Sequence, residues 1–222
     1  MSFWQLTEIY GERNMQRESN YEIMKHRMRE VFAQKDLVLA AEKWNLVINA
    51  KNIYVRFIAR DYAVNVENGI ILRTDDGTEA DYNEAMTLYD ILSREPALAF
   101  KKYVSIDSLS SLKSTFGRNN IFDSIKGTFD HQEPELARAC EKLGGVPFGK
   151  SDVGYKLPVF QELSVILQFW SSDDEFEPEL KFLCNQNIMS FMKYETMMFM
   201  LSHLINRLCE EMQNDGYFHR RR

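Results

Sequence analysis

Five carboxylates, Asp173, Asp174, Glu175, Glu177 and Glu179, crowd residues 173–179 with no basic residue among them. Two carboxylates about 4 Å apart repel by about 4 kcal/mol at an effective dielectric of ~20. Such a run has to spread its charges into water, take up protons, pair with Lys or Arg, or share a cation. Solvated spreading asks nothing further of the loop. In the sharper arrangement the loop folds over a pocket mouth and Phe176 tucks into the core as an anchor. Asp173, Glu175 and the more distant Glu195 then present oxygens to a hard cation or a cationic ligand. Glu195 also has a plain structural role, because a carboxylate in the first turn of a helix faces the positive end of the helix dipole.

Other residues that could do chemistry fall into no productive spacing. His26, His131, His203 and His219 match no metal-ligand pattern such as two His at i, i+4 with a Glu between, and each reads as a surface or structural histidine. Cys140, Cys184 and Cys209 are odd in number and far apart, which gives neither a disulfide framework nor a metal knuckle. They read as buried apolar thiols. No Ser, His and Asp set carries a nucleophile-elbow frame and no glycine-rich loop follows a strand in phosphate-cradling order. Gly117, Gly144, Gly145, Gly149 and Gly154 read as turns. Tyr54, Tyr62, Tyr89, Phe116, Tyr155 and Trp170 are available to line a ligand cavity or to fill a core.

The elements that position the acidic run begin with its flanks. Leu163, Val165, Leu167 and Phe169 alternate with Ile166 and Trp170, so the strand before the loop is apolar on both faces. A strand over Leu180 to Cys184 follows, and the pair reads as a buried hairpin with a charged tip. Upstream, Tyr21, Met24, Met28, Val31 and Phe32 recur at helical spacing behind a Ser19/Asn20 cap. From Trp44 to Arg73 the period changes to two, giving three short antiparallel strands with a two-residue turn at Asn68 and Gly69. Asp81 and Glu84 form a capping box ahead of Tyr82, Ala85, Met86, Tyr89 and Leu92.

Further on, Tyr103 to Ile106 reads as a strand and 121–129 as a short helix. A longer helix has Pro134 in its first turn, Leu136, Ala139, Cys140 and Leu143 as its stripe, and Gly144 with Gly145 as its stop. Strands over 146–149 and 155–158 precede the hairpin. A helix from Tyr194 to Met212 closes the chain, striped by Met197, Leu201, Leu204, Ile205, Leu208 and Met212. Antiparallel strand clusters interspersed with helices imply an α+β fold, an antiparallel meander and a C-terminal β-hairpin sheet packed by amphipathic helices. The expected organisation is an arm over 1–16, one domain over 17–213 and a tail over 214–222.

Composition bounds the class. The 222 residues carry a net charge of −6 and are 45% hydrophobic, enough for a sizeable core. An acidic balance disfavours nucleic acid or an anionic membrane as partner, since both require clustered Lys and Arg. Arg220, Arg221 and Arg222 read as a terminal tail. No apolar run approaches the ~20 residues of a membrane span, and residues 1–11 lack a secretory pattern. The expectation is a cytoplasmic protein with neither nucleic-acid nor membrane partners.

Three segments carry a resemblance: SNYEIMKHRM near the start, EPELARACEKLGG in the middle, and LSVILQFWSSDDEFEPELKFL followed by MKYETMMFMLSHLINRL. They resemble an uncharacterised bacterial and archaeal domain family of unknown function that is frequent in anaerobes. The similarity covers roughly 17–212. The family motif falls on Trp170, Asp173, Glu175, Phe176 and Pro178 in the loop and on Glu195 at the start of the last helix, where Thr196 stands in place of the family's Asp. Many members carry a preceding four-cysteine iron–sulfur module, and this chain has no such cysteines.

The resemblance brings no activity with it. Together with the residues it implies a non-catalytic module that binds a small molecule, cofactor or partner protein in anaerobic metabolism, through Trp170, Asp173, Glu175, Phe176 and Glu195. The alternative is a metal-dependent enzyme built on the 173–179 carboxylates. No metal ligand set and no particular cofactor is specified.

Overall fold

The computed structural model describes residues 19–96, 102–109 and 122–214. The arm expected over 1–16, the tail beyond Asn214, Phe116 and Gly117 lie outside them. The expected α+β class holds: seven α-helices and two antiparallel sheets make up the described residues.

The first sheet is a four-stranded meander in the order β1 (Val47–Ile48), β2 (Asn52–Phe57), β3 (Arg60–Asn65) and β4 (Ile71–Arg73). Three strands were expected between Trp44 and Arg73, and the segment forms four. The turn expected at Asn68 and Gly69 is longer. Asn65 accepts at Oδ1 from the N–H groups of Glu67 and Asn68, its carbonyl accepts from Gly69, and Gly69 takes φ +69°. Between β2 and β3, Ile58 and Ala59 form a two-residue turn with both φ positive, at 46° and 56°, the backbone a tight hairpin needs. Ile58 is buried there, and its N–H reaches the carbonyl of Val159 in the other sheet at 2.9 Å.

The second sheet has five strands in the order β5 (Tyr103–Ser105), β9 (Glu179–Asn185), β8 (Leu163–Trp170), β7 (Val153–Phe160) and β6 (Val146–Pro147). Thus β8 is the central strand. Its Leu163, Val165, Leu167 and Phe169 are all buried, as alternation requires. On the opposite face Ile166 is buried, whereas Ser164, Gln168 and Trp170 are half-buried.

Helices pack these sheets. The first, α1 (Asn20–Ala33), starts at Ser19, whose hydroxyl accepts from the Glu22 N–H. Its expected apolar stripe is only partly inside: Phe32 is buried, but Tyr21, Met24 and Val31 are exposed. Lys25 takes the inner face instead, because its Nζ reaches the Ala80 carbonyl at 3.2 Å and pairs with Glu22 and Glu79. A short α2 (Leu37–Lys43) follows behind an Asp36 cap. Next, α3 (Tyr82–Leu92) carries the expected capping box, with Asp81 accepting from the Glu84 N–H and Glu84 from the Asp81 N–H.

After α4 (Asp123–Phe129), α5 (Glu133–Lys142) begins with Pro134 in its first turn. It ends as expected at Gly144, which takes φ +78°. Gly145 is required beside it, since a Cβ there would lie 2.7 Å from the Cys140 carbonyl oxygen. The chain closes with α6 (Ile188–Phe191) and the 21-residue α7 (Tyr194–Asn214). Asp90 of α3 caps α7 from outside by accepting from the Lys193 N–H at 2.7 Å. In turn, α7 packs against α3 and α5, and the buried apolar residues of both sheets and the helices form one contiguous core. Among the described residues no helix is long and apolar enough to cross a membrane.

Candidate functional site

The central strand β8 ends at Trp170 and hands the chain to the acidic loop. That loop is pinned at its root. Asp130, at the end of α4, accepts from the Ser172 N–H at 2.8 Å and from its hydroxyl at 2.7 Å. These two bonds hold the Asp130 carboxyl below the usual carboxylate range. Asp152 accepts from the Ser171 N–H at 2.9 Å, and Glu133 of α5 from the Ser171 hydroxyl. At the tip, Oδ1 of Asp173 accepts from the N–H groups of Glu175 and Phe176, both at 2.8 Å, and the Asp173 N–H donates to the Phe176 carbonyl. The side chain of Asp173 therefore builds the turn.

This geometry corrects one expectation. Phe176 does not tuck into the core: it is 68% exposed, and the buried residue of the loop is Pro178. The Asp173 turn leaves the phenyl ring on the rim of a groove of about 640 Å³. Trp170 and Phe176 contribute aromatic surface to that groove, and Asp152, Asp173, Glu177 and Glu179 contribute carboxylates. Lys126, Ser171 and Pro178 complete the lining. From the next strand, Lys181 sets its Nζ over the Trp170 ring at 5.0 Å from the centroid and 2.8 Å from a Glu179 oxygen.

Of the residues singled out from the sequence, Trp170, Asp173 and Phe176 thus meet at the groove. Glu175 is exposed on the loop, and Glu195 is exposed in the first turn of α7; neither is among the lining residues. Glu195 lies toward Tyr82 of α3, whose hydroxyl is raised by burial and by the neighbouring Tyr21 and Glu195.

A second constellation was not foreseen. Glu84, fully buried, accepts at Oε1 from the Tyr62 hydroxyl at 2.7 Å, while Arg73 approaches both its oxygens, with Nη2 to Oε2 at 2.8 Å and Nε to Oε1 at 3.1 Å. Arg60 adds a contact at 3.4 Å. His203 of α7, also buried, brings Nε2 to 3.6 Å from Glu84 Oε1 and 3.3 Å from the Tyr62 hydroxyl, and stacks on Phe57. Beyond it, Arg60 and Arg207 converge on Glu210. Burial acts to raise the Glu84 carboxyl, but the hydrogen bonds it accepts from Arg73, Tyr62 and the Asp81 N–H outweigh it and hold the group low. Burial drives His203 down to about 4, so its imidazole is neutral near pH 7.

Asp81, Glu84 and His203 each offer a ligand atom within 4.8 Å of the others, the one such triple among the described residues. A divalent cation does not suit them. Both oxygens of Glu84 already accept hydrogen bonds, and the Arg73 guanidinium stands 2.8 Å from Glu84 and 3.8 Å from Asp81. A cation placed there would meet the charge of Arg73 at close range, with Arg60 behind it. The cluster acts as a cross-brace joining β3, β4, α3 and α7. Its sequence signal was the capping box, which located Glu84 but not its burial; for His203, one histidine in a Met-rich helix, no signal existed.

Residues 36–207 match the model of a family described as a domain of unknown function, DUF3786. No curated protein matches the chain, and neither does any solved structure.

Proposed function

The chain belongs to this DUF3786 family, and we propose that it is a non-catalytic binding module whose site is the groove between Trp170 and Phe176. The observation that carries the reading is an exposed phenyl ring held by a pinned loop on the rim of a groove of about 640 Å³. Small-molecule sites fall at roughly 300 to 1,000 Å³ and combine apolar surface with a few fixed polar groups. Here the apolar surface is Trp170, Phe176 and Pro178, and the fixed polar groups are the Asp152 and Asp173 carboxylates, each oriented by backbone N–H donors. Four carboxylates outnumber the ammonium of Lys126 and that of Lys181, which is paired with Glu179, and this balance selects against anionic ligands.

The carboxylates of the loop give less support to the metal-enzyme alternative. Oδ1 of Asp173 is occupied by two backbone N–H groups, and Glu195 stands apart from the groove. We further propose a cytoplasmic placement, which three free cysteines suit, and a role in anaerobic metabolism, to which the resemblance noted above points.

The test is the mass of protein purified without oxygen, measured under native conditions and after denaturation. A bound species present in the wild type and lost from the Trp170→Ala, Phe176→Ala double variant supports the module. Equal retention by the two proteins places the ligand elsewhere and overturns the assignment.

A further inference from the structure

We propose that the groove takes an alkylammonium ion, and that Lys181 is its intramolecular stand-in; the inference rests on the binding-module reading above. The Lys181 ammonium touches two partners at once, the face of Trp170 at 5.0 Å and the carboxylate of Glu179 at 2.8 Å. Both partners line the groove. An aromatic face and a carboxylate are the two groups that together recognise an ammonium, one through the ring quadrupole and the other through a charge-assisted hydrogen bond.

The strand register produces this arrangement. Trp170 pairs directly with Glu179, and Gln168 pairs with Lys181, so Lys181 is the diagonal neighbour of Trp170 on the same sheet face. A ligand ammonium entering the groove meets the same ring and the same carboxylate. To use them it displaces Lys181, whose side chain is 48% exposed and can swing into water. Phe176 offers a second ring, and Asp152, Asp173 and Glu177 set a negative potential that outweighs Lys126. An anion meets repulsion from these groups, and a neutral alcohol of the same size gains nothing from them.

Removing a stand-in strengthens binding, whereas removing an aromatic or acidic group of the groove weakens it. Calorimetric titration with n-butylammonium chloride, n-butanol and sodium butyrate at low ionic strength tests this in the wild type, Lys181→Met and Trp170→Leu. Lys181→Met keeps the apolar stem of the side chain on the exposed face of β9, and Trp170→Met, which also lacks a ring, replaces Trp170→Leu if the latter unfolds. The expected result is n-butylammonium binding that Lys181→Met tightens about two- to tenfold and the Trp170 variant weakens, with no heat from butyrate.

Equal or weaker affinity in Lys181→Met overturns the stand-in while leaving the groove reading intact. Binding of n-butanol or butyrate as tight as that of the ammonium, still sensitive to Trp170, overturns the ligand class alone. Binding insensitive to Trp170, or no binding of any of the three probes, overturns both.

Discussion

Glu84 and His203 face each other across the packing of α3 on α7, 3.6 Å apart, and neither side chain reaches solvent. A buried carboxylate is tolerated when donors surround it, and Glu84 has Tyr62, Arg73 and the Asp81 N–H. His203 lacks that support. Its Nδ1 is buried without a partner, and burial is the leading cause of its depressed pKa.

The pair therefore makes stability depend on pH. Glu84 and Glu210 favour the protonated imidazole, Arg60 and Arg207 oppose it, and burial decides in favour of the neutral form, with a folded pKa of about 4 against 6.5 for the free side chain. Between these values the unfolded chain binds the extra proton, so stability is complete above pH 6.5 and falls as pH drops toward 4. Between pH 6.5 and 4.5 the loss amounts to about 2 to 3 kcal/mol. Urea melts of wild type and His203→Gln across this window check it: the difference between the two should change with pH, and a constant difference would contradict the assignment.

Removing the carboxylate tests the same brace from the other side. Glu84→Ala leaves the Tyr62 hydroxyl buried and strips Arg73 of its closest counter-charge. Truncating one partner of a buried pair costs about 3 to 5 kcal/mol. Tyr62→Phe removes a single hydrogen bond to Glu84 and should cost about 1 to 3 kcal/mol. If Glu84→Ala melts within about 1 kcal/mol of wild type, the network is not the brace described.

Much of the fold was legible in the sequence because its signals are local. The span of β8, the Asp81 and Glu84 capping box, the Gly144 stop of α5 and the start of α7 follow from alternation, spacing and capping chemistry. What stayed hidden depends on partners distant along the chain. Lys25 displaces Met24 from the inner face of α1 because the Ala80 carbonyl lies within its reach. Ile58 adopts φ +46° despite its β-branch, which runs against its local preference, and its bond to Val159 and its burial hold it there. The groove shows the same division. The acidic loop and Trp170 were visible, but the opposite placements of Phe176 and Pro178 depend on a turn that Asp173 makes with its own backbone. Asp130, Asp152 and Glu133, which pin the loop, come from segments that the fold alone brings close.

The central place of β8 gives a quantitative expectation. Leu167 is fully buried between partners on β7 and β9, Tyr155 and Phe182. Leu167→Ala should cost about 2 to 5 kcal/mol through lost transfer energy and the cavity left behind. Denaturant melts measure this directly, and a loss under about 1 kcal/mol is incompatible with a central strand.

The groove itself depends on one side chain. Asp173 shapes the loop through a single oxygen that receives the N–H groups of Glu175 and Phe176. Asparagine keeps an acceptor at that place, whereas alanine removes it. Asp173→Asn should therefore leave the loop and the thermal melt unchanged within about 0.5 kcal/mol. Asp173→Ala should release both backbone donors, shift Phe176 from the rim and cost about 1 kcal/mol, since two exposed bonds to a charged acceptor are largely replaced by water. Amide hydrogen exchange at Glu175 and Phe176 separates the two variants: protection retained in asparagine and lost in alanine is the expected pattern. Equal protection in both would mean that Trp170 and Pro178, and not the Asp173 turn, set the position of the ring.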